Sequence, residues 1–328
     1  MKDISVGILG TGKYVPDNRL TNEQLEKMVE TNNDWIVTMT GIKERRIVGE
    51  GQATSDLAYE ASLRAMAAAG VTAEQIDLII VATITPDMFF PSTACLLQEK
   101  LGAKRAAAYD LSAACSGFIY GVASATGFIK MGMYKHVLVV GAESLSRITD
   151  YSDRNTCILF GDGAGAVVLG EVPEGRGFRS FELGADGSGG ELLRICGGGS
   201  RLPSSEQSVA DRRHFIEMNG REVFKFAVRI MGNAAEEALA KAGLTKENID
   251  LLIPHQANIR IIQSALDRLN LTNDKCMINI DKYGNMSAAS IPVALAEAVE
   301  EGRVKEGDCL VFVGFGGGLT WGASTLIW

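Results

Sequence analysis

The sequence predicts an α/β fold assembled from two copies of one unit. Apolar runs of strand length alternate with amphipathic or Ala-rich helical stretches, a pattern that calls for sheets covered by helices. Residues 69–80 and 242–253 both read as the end of an Ala-rich helix, a glycine turn and a buried strand. The offset between them, 173 residues (242 − 69), also carries 137–141 onto 310–314 and 112–115 onto 285–288. Separate segments at one offset imply an internal duplication with approximate twofold symmetry. The first copy spans 1–172 and the second 173–328, with the turn-rich stretch 171–177 at the boundary.

In chain order, residues 1–9 enter a strand at once and lack the apolar stretch and cleavage site of a signal peptide. Gly7-Ile-Leu-Gly10-Thr-Gly12 imitates a dinucleotide fingerprint. Its third position is Val15, however, and Pro16 follows where the helix should run, so a tight turn is the better account. Thr21 and Gln24 form a capping box that opens a helix over 25–29. A strand over 106–109 leads to Cys115, and small residues over 117–131 form the helix that leaves it. Gly161-Asp-Gly163-Ala-Gly165 lacks the Lys and Ser/Thr of a phosphate loop; its small residues suit close packing between strands. The Gly- and Ser-rich stretch 184–208 has no periodicity and reads as a mobile surface loop. His255 follows the buried strand 251–253 at its C-terminal end, where α/β folds bind ligands. Gly314-Phe-Gly316-Gly317-Gly318 leaves backbone N–H groups open to a ligand, which suits an oxyanion hole.

A chain of 328 residues with 46% hydrophobic and 22% charged residues has the make-up of a globular enzyme with a large core. The net charge of −8 excludes general nucleic-acid binding, which needs a basic excess. No apolar run approaches the roughly 20 residues of a membrane span. Cys95, Cys115, Cys157, Cys196, Cys276 and Cys309 lie far apart without a C-x-x-C pair, so neither a zinc site nor a disulfide framework is expected. A reducing cytoplasm is the expected location.

Cys115 is the candidate nucleophile. On a strand-to-helix turn, backbone N–H groups and the helix dipole favour its thiolate. The segments 254–258 and 283–287 supply His255 and Asn285 as polar partners, and the twofold relation sets the Asn285 turn opposite the Cys115 turn. Asn carries N–H groups to donate but cannot act as a base. That argues against a Cys-His-Asn hydrolase, in which Asn only orients the His. His136 and His214 have no comparable setting and read as structural or surface residues.

The chain resembles the thiolase superfamily and, more closely, the β-ketoacyl-acyl-carrier-protein synthase III family of condensing enzymes. The resemblance runs through Gly10-Thr-Gly-x-Tyr14-x-Pro16, Asn33-Asp-Trp35, Thr40-Gly-Ile-x-Glu-Arg45, Pro91-Ser-x-Ala-Cys95, Ala114-Cys115-Ser-Gly117, Phe160-Gly-Asp-Gly-Ala-Gly165, Pro254-His-Gln-Ala-Asn258, Tyr283-Gly-Asn285 and Phe315-Gly-Gly-Gly318. It implies a thiolase-like five-layer α-β-α-β-α sandwich, usually a homodimer. It implies the initiating condensation of bacterial-type fatty-acid synthesis. An acyl-CoA primer acylates Cys115; malonyl-acyl-carrier-protein then binds, loses CO₂ and attacks the acyl group, giving 3-oxoacyl-acyl-carrier-protein. The bulk of Phe90 points to acetyl-CoA as the primer. No cofactor and no metal is implied, since CoA enters as a thioester substrate.

The resemblance also assigns residues. The N–H groups of Cys115 and Gly317 form the oxyanion hole, and His255 and Asn285 donate to the malonyl thioester oxygen as the enolate forms. Thr31, Trp35 and Arg154 contact the adenine and phosphates of CoA. Asn258 and Gly220 line the pantetheine tunnel. Phe90 caps the acyl pocket across the dimer interface, and Phe224 lines that pocket. Arg260, Lys225 and Arg268 form a basic patch for the acidic carrier protein, diluted by Asp267. The family usually has Arg where this chain has Met39, which cannot pair with phosphate and leaves the primer open. A secondary-metabolite ketosynthase with another primer or extender, an acyl-thioester hydrolase and a non-catalytic acyl-binding subunit are the alternatives.

Overall fold

Two large sheets and two short two-stranded ribbons hold the strands of the computed structural model, which describes residues 4–328; residues 1–3 of the expected first strand lie outside the described residues. The five-stranded sheet has the order Ser5–Tyr14, Asp162–Val172, Val137–Ser144, Leu78–Ala82, Ala107–Leu111. Its last three strands run parallel and the first two pair antiparallel. The four-stranded sheet has the order Leu251–Pro254, Cys309–Gly316, Thr320–Ile327, Gly177–Ala185, with only its first pair parallel.

The helices Gly117–Lys130 and Ser290–Glu300 lie between the sheets. Phe118, Ile119 and Val122 of the first and Ile291, Ala294 and Leu295 of the second share one buried cluster with Ile80 and Val139 from one sheet and Ile253 and Phe312 from the other. Residues 290–298 are buried without a break, as a helix enclosed on all sides must be. Thr54–Ala69 and Thr93–Leu101 cover the outer face of the five-stranded sheet. Gly220–Lys241 and Ile259–Leu269 cover the outer face of the other. The layers are therefore α-β-α-β-α.

The duplication is visible residue by residue. Ala114, before the cysteine, has φ 47°, and Ser287, at the same offset of 173 residues, has φ 45°. The central helices begin at Gly117 and Ser290, and the short turns Ala73–Gln75 and Lys246–Asn248 also match at that offset. The copies diverge where Ala107–Leu111 is a strand and its counterpart Ile280–Tyr283 is a helix.

Several sequence expectations change here. Gly7, Gly10 and Gly12 make no turn; they lie within the strand Ser5–Tyr14. A Cβ on Gly10 or Gly12 would stand 2.3 Å from backbone atoms of the helix Thr54–Ala69, so these glycines let strand and helix approach. Gly161, Gly163 and Gly165 face the other copy's central segment rather than a strand. A Cβ at each would lie 2.3 Å from the Tyr283 carbonyl, 2.6 Å from Met286 Sδ and 2.5 Å from Val293 N, respectively. The Thr21–Gln24 capping box forms, but its helix is confined to Asn22–Leu25. Residues 184–208 are not a free loop: Leu193–Arg194 pairs with Glu217–Met218, and that ribbon walls the site. No helix among the described residues is long and apolar enough to cross a membrane.

Candidate active site

The strand Ala107–Leu111 delivers the chain to a tight turn, Ala114–Ser116, that places Cys115 at the N-terminus of the central helix. Thr320 Oγ1 donates to the Ala113 carbonyl at 2.9 Å and pins the turn to the four-stranded sheet. Gly316 presses against it so closely that a Cβ would stand 2.5 Å from Cys115 N.

Three spaces run in series, and the inner two meet at Cys115. An open mouth of about 1000 Å³ is lined by Trp35, Met39, Arg221, Lys225 and Arg260. It shares Gly220, Phe224 and Asn258 with a neck of about 100 Å³ that holds Cys115, His255 and Asn285. Beyond Cys115 lies an apolar chamber of about 380 Å³, walled by Ile84, Leu145, Phe160, Ile195 and Ile216 and bordered by Gly317.

His255 is fixed just past the strand Leu251–Pro254 by its N–H, which donates to the Val313 carbonyl at 2.8 Å. Its ring lies edge-on to Phe315, with centroids 5.8 Å apart. Burial lowers its pKa to about 3, so the imidazole is neutral at physiological pH. Nδ1 is buried without a partner, which leaves Nε2 to meet a ligand.

Asn285 bridges to Phe160. Its N–H donates to Leu159 O at 2.9 Å, and its carbonyl accepts from Gly161 N–H at 3.0 Å. Its side-chain oxygen accepts from Ser287 N–H at 2.9 Å, so the NH₂ is the half left free to donate.

The resting thiolate expected from the turn is not what the site holds. Burial pushes the Cys115 thiol up to about 12, and the Glu143 carboxylate adds to the rise. Withdrawing the sulfur from water costs the anion more than the helix N-terminus restores. Cys115 rests as a thiol beside a neutral imidazole. Among the described residues, no cluster of three or more His, Cys, Asp or Glu side chains could hold a metal ion.

The family model for 3-oxoacyl-[acyl-carrier-protein] synthase III matches residues 109–187, and the model for its C-terminal part matches 239–328. A β-ketoacyl-[acyl-carrier-protein] synthase III of Desulfitobacterium hafniense is 59% identical over 325 residues, covering 99% of this chain and 98% of that protein. The chain belongs to the β-ketoacyl-acyl-carrier-protein synthase III family. A relative from Caldanaerobacter subterraneus is 58% identical, again over 99% and 98% of the two chains. The crystal structure of 3-oxoacyl-[acyl-carrier-protein] synthase III from Aquifex aeolicus matches with a TM-score of 0.92 and 49% identity, covering 98% of this chain and 100% of that one. The protein is thus an acyltransferase, an initiating condensing enzyme of fatty-acid synthesis.

The synthase does not bring every residue named from its sequence to this site. Arg154 lies over the Trp35 ring, 4.6 Å from its centroid. Asn258 caps the helix Ile259–Leu269 through Arg260 N–H at 2.8 Å and donates to the Met39 carbonyl at 2.8 Å. Arg260 lies over Phe224, 5.2 Å from the ring centroid. Phe224, in the first turns of the helix Gly220–Lys241, lines the neck and mouth and not the chamber. Thr31 borders none of the three spaces, and its hydroxyl is buried without a partner. Arg268 does not line the mouth and is paired with Glu236 at 2.7 Å. Phe90 is 86% exposed and borders none of the three spaces. Sequence reasoning missed Arg221, one residue from Gly220, and the ribbon residues Leu193 and Ile195. It also missed Glu143 and Ser287 near Cys115. A lone acid in the otherwise apolar strand Val137–Ser144 was the available signal for Glu143.

Proposed function

We propose that this synthase works by ping-pong exchange at Cys115. The observation that carries the reading is the serial arrangement of mouth, neck and chamber, with Cys115, His255 and Asn285 together in the neck. An acyl-CoA enters by the mouth, its pantetheine arm fills the neck past Gly220 and Asn258, and its acyl group reaches the chamber. Adenine stacks on Trp35 after Arg154 swings off the ring and covers the other face or pairs with phosphate. The Cys115 sulfur attacks the acyl carbonyl, and the N–H groups of Cys115 and Gly317 hold the oxyanion. The C–S bond to CoA breaks, the CoA sulfur leaves with the proton that the Cys115 thiol gives up, and the thiolate expelled later in condensation regains its proton from water.

Malonyl-acyl-carrier-protein then docks its acidic surface on Arg221, Lys225 and Arg260. His255 Nε2–H and the Asn285 NH₂ donate to the malonyl thioester oxygen. The carboxylate leaves as CO₂, and its electron pair forms the enolate, which attacks the acyl-Cys115 carbonyl and expels the thiolate. A neutral His255 suits this step, because decarboxylation requires a donor and no proton abstraction. The first half, residues 1–172, supplies the nucleophile; the second, 173–328, supplies His255, Asn285 and Gly317. No cofactor enters, and the cytoplasm is the proposed location.

The synthase acts as a homodimer in this reading. Met88, Phe89 and Phe90 form an exposed apolar cluster suited to a partner copy, with Phe90 reaching the partner's acyl chamber. The chamber of about 380 Å³ leaves a primer of several carbons as a second reading beside acetyl. Intact-protein mass spectrometry after incubation with an equimolar acyl-CoA panel, followed by peptide mapping, tests both. A single adduct on the Cys115 peptide supports the nucleophile and names the primer. Acyl-CoA hydrolysis without an adduct or a condensation product would identify a thioesterase instead.

A further inference from the structure

Glu297 lies buried on the central helix Ser290–Glu300 and has no part in the chemistry above. Its two carboxylate oxygens hold different segments of the site. Oε2 accepts from Asn279 Nδ2 at 2.7 Å. Oε1 accepts from Tyr283 Oη at 3.1 Å and from the half-exposed Lys282 Nζ at 3.2 Å.

The first branch runs to His255. Asn279 N–H donates to Gln256 Oε1 at 3.2 Å. The other end of that carboxamide, Nε2, donates to the Pro254 carbonyl at 2.9 Å and the Met277 carbonyl at 3.0 Å. Gln256 is fully buried, where no water competes for these bonds. Pro254 and Gln256 flank His255 in sequence, so the carboxamide closes a clasp around the histidine of the neck.

The second branch runs to Asn285. Only Gly284 separates Tyr283 from it. Gly284 has φ 66°, and a Cβ there would stand 2.8 Å from the Leu159 carbonyl, which is also the acceptor of the Asn285 N–H. Glycine is the most freely turning link in a chain. The Tyr283 hydroxyl, tied to Glu297, fixes the upstream side of that link.

We propose that Glu297 is a positioning residue that sets the spacing of the two decarboxylation donors. The His255 segment follows the edge strand Leu251–Pro254, and the Asn285 turn follows the short helix Ile280–Tyr283. One carboxylate joins both to the central helix. The enolate oxygen needs both donors at hydrogen-bond distance at once, and a misplacement of about 1 Å can cost ~10²-fold. Glu297 acts through Asn279 and Gln256 on one side and through Tyr283 on the other. The role rests on the reading of His255 and Asn285 as donors to the malonyl thioester.

The test compares two single-turnover rates on each folded variant: Cys115 acylation by acetyl-CoA, and CO₂ release from malonyl-acyl-carrier-protein on the acyl-enzyme. Glu297→Ala should slow CO₂ release by about 10–10²-fold, with KM for malonyl-acyl-carrier-protein unchanged. Acylation should stay within about threefold of wild type, because the Cys115 turn lies on neither branch. Glu297→Gln should restore CO₂ release, since an amide can accept from Asn279 and donate to Tyr283 Oη. Tyr283→Phe removes a single hydroxyl and should slow CO₂ release alone, so it decides the matter if Glu297→Ala does not fold. In the Asn285→Ala background Tyr283→Phe should add nothing, because the donor it positions is gone. A merely structural role would lower both rates together and would still add in that background. Equal loss in both half-reactions, unchanged CO₂ release, or no rescue by Glu297→Gln would overturn the proposal. Unchanged CO₂ release in His255→Ala and Asn285→Ala would instead overturn the donor reading, and the positioning role with it.

Discussion

His255 makes the synthase acid-labile in a way that can be isolated and measured. Burial lowers its pKa from 6.5 to about 3. The unfolded chain therefore gains a proton on this ring that the folded protein refuses. The resulting stability is fully present above pH 6.5 and is lost as pH falls toward 3. Each unit of difference is worth about 1.36 kcal/mol, so falling from pH 7 to 4 removes roughly 3 kcal/mol through this one group. That is a large part of a typical domain's 5–15 kcal/mol. Urea unfolding of wild type and His255→Gln at several pH values across that range gives the difference, and the carboxylates shared by both proteins cancel. The chain has only 3 histidines, so the ring can also be followed directly by NMR. Parallel stability curves, or an imidazole titrating near its ordinary value, would refute the claim that His255 is neutral by burial.

Cys115→Ala should form no acyl adduct by intact mass while retaining CoA binding. His255→Ala and Asn285→Ala should each slow CO₂ release from malonyl-carrier-protein by ~10²–10³, the usual loss for one oxyanion donor, while Cys115 acylation stays within a few-fold. Equal loss in both half-reactions would contradict the donor assignment. Gly141→Ala drives a Cβ to 2.2 Å from the Ala288 carbonyl, where only backbone could yield. It should cost at least about 1–3 kcal/mol in urea unfolding. Arg154→Ala removes the guanidinium from Trp35 and should raise KM for acyl-CoA more than it lowers kcat, as a loss of uniform binding does.

Local signals were legible where one segment settles its own environment. Cys115, His255, Asn285 and Gly317 stand at strand or helix ends whose types the hydrophobic pattern announces. Misreadings arose where a residue's meaning depends on what packs against it. Gly10 and Gly12 look like a turn until the helix Thr54–Ala69 is laid on them. Residues 184–208 look free until Leu193–Arg194 finds Glu217–Met218. Arg268 looks like part of a basic mouth until Glu236, 32 positions earlier, pairs with it.

The sequence by itself determined the duplication, because two copies at a constant offset leave their mark in order along the chain. It determined the turn that carries Cys115, since strand, small residues and helix adjoin there. Tertiary structure alone decided the ionisation of that site. Desolvation depends on atoms from many segments, and closing the two halves over Cys115 and His255 left both neutral. It alone brought Glu143 and Ser287, 144 positions apart, to the back of one sulfur, because proximity across a sheet and a turn is written in no local pattern.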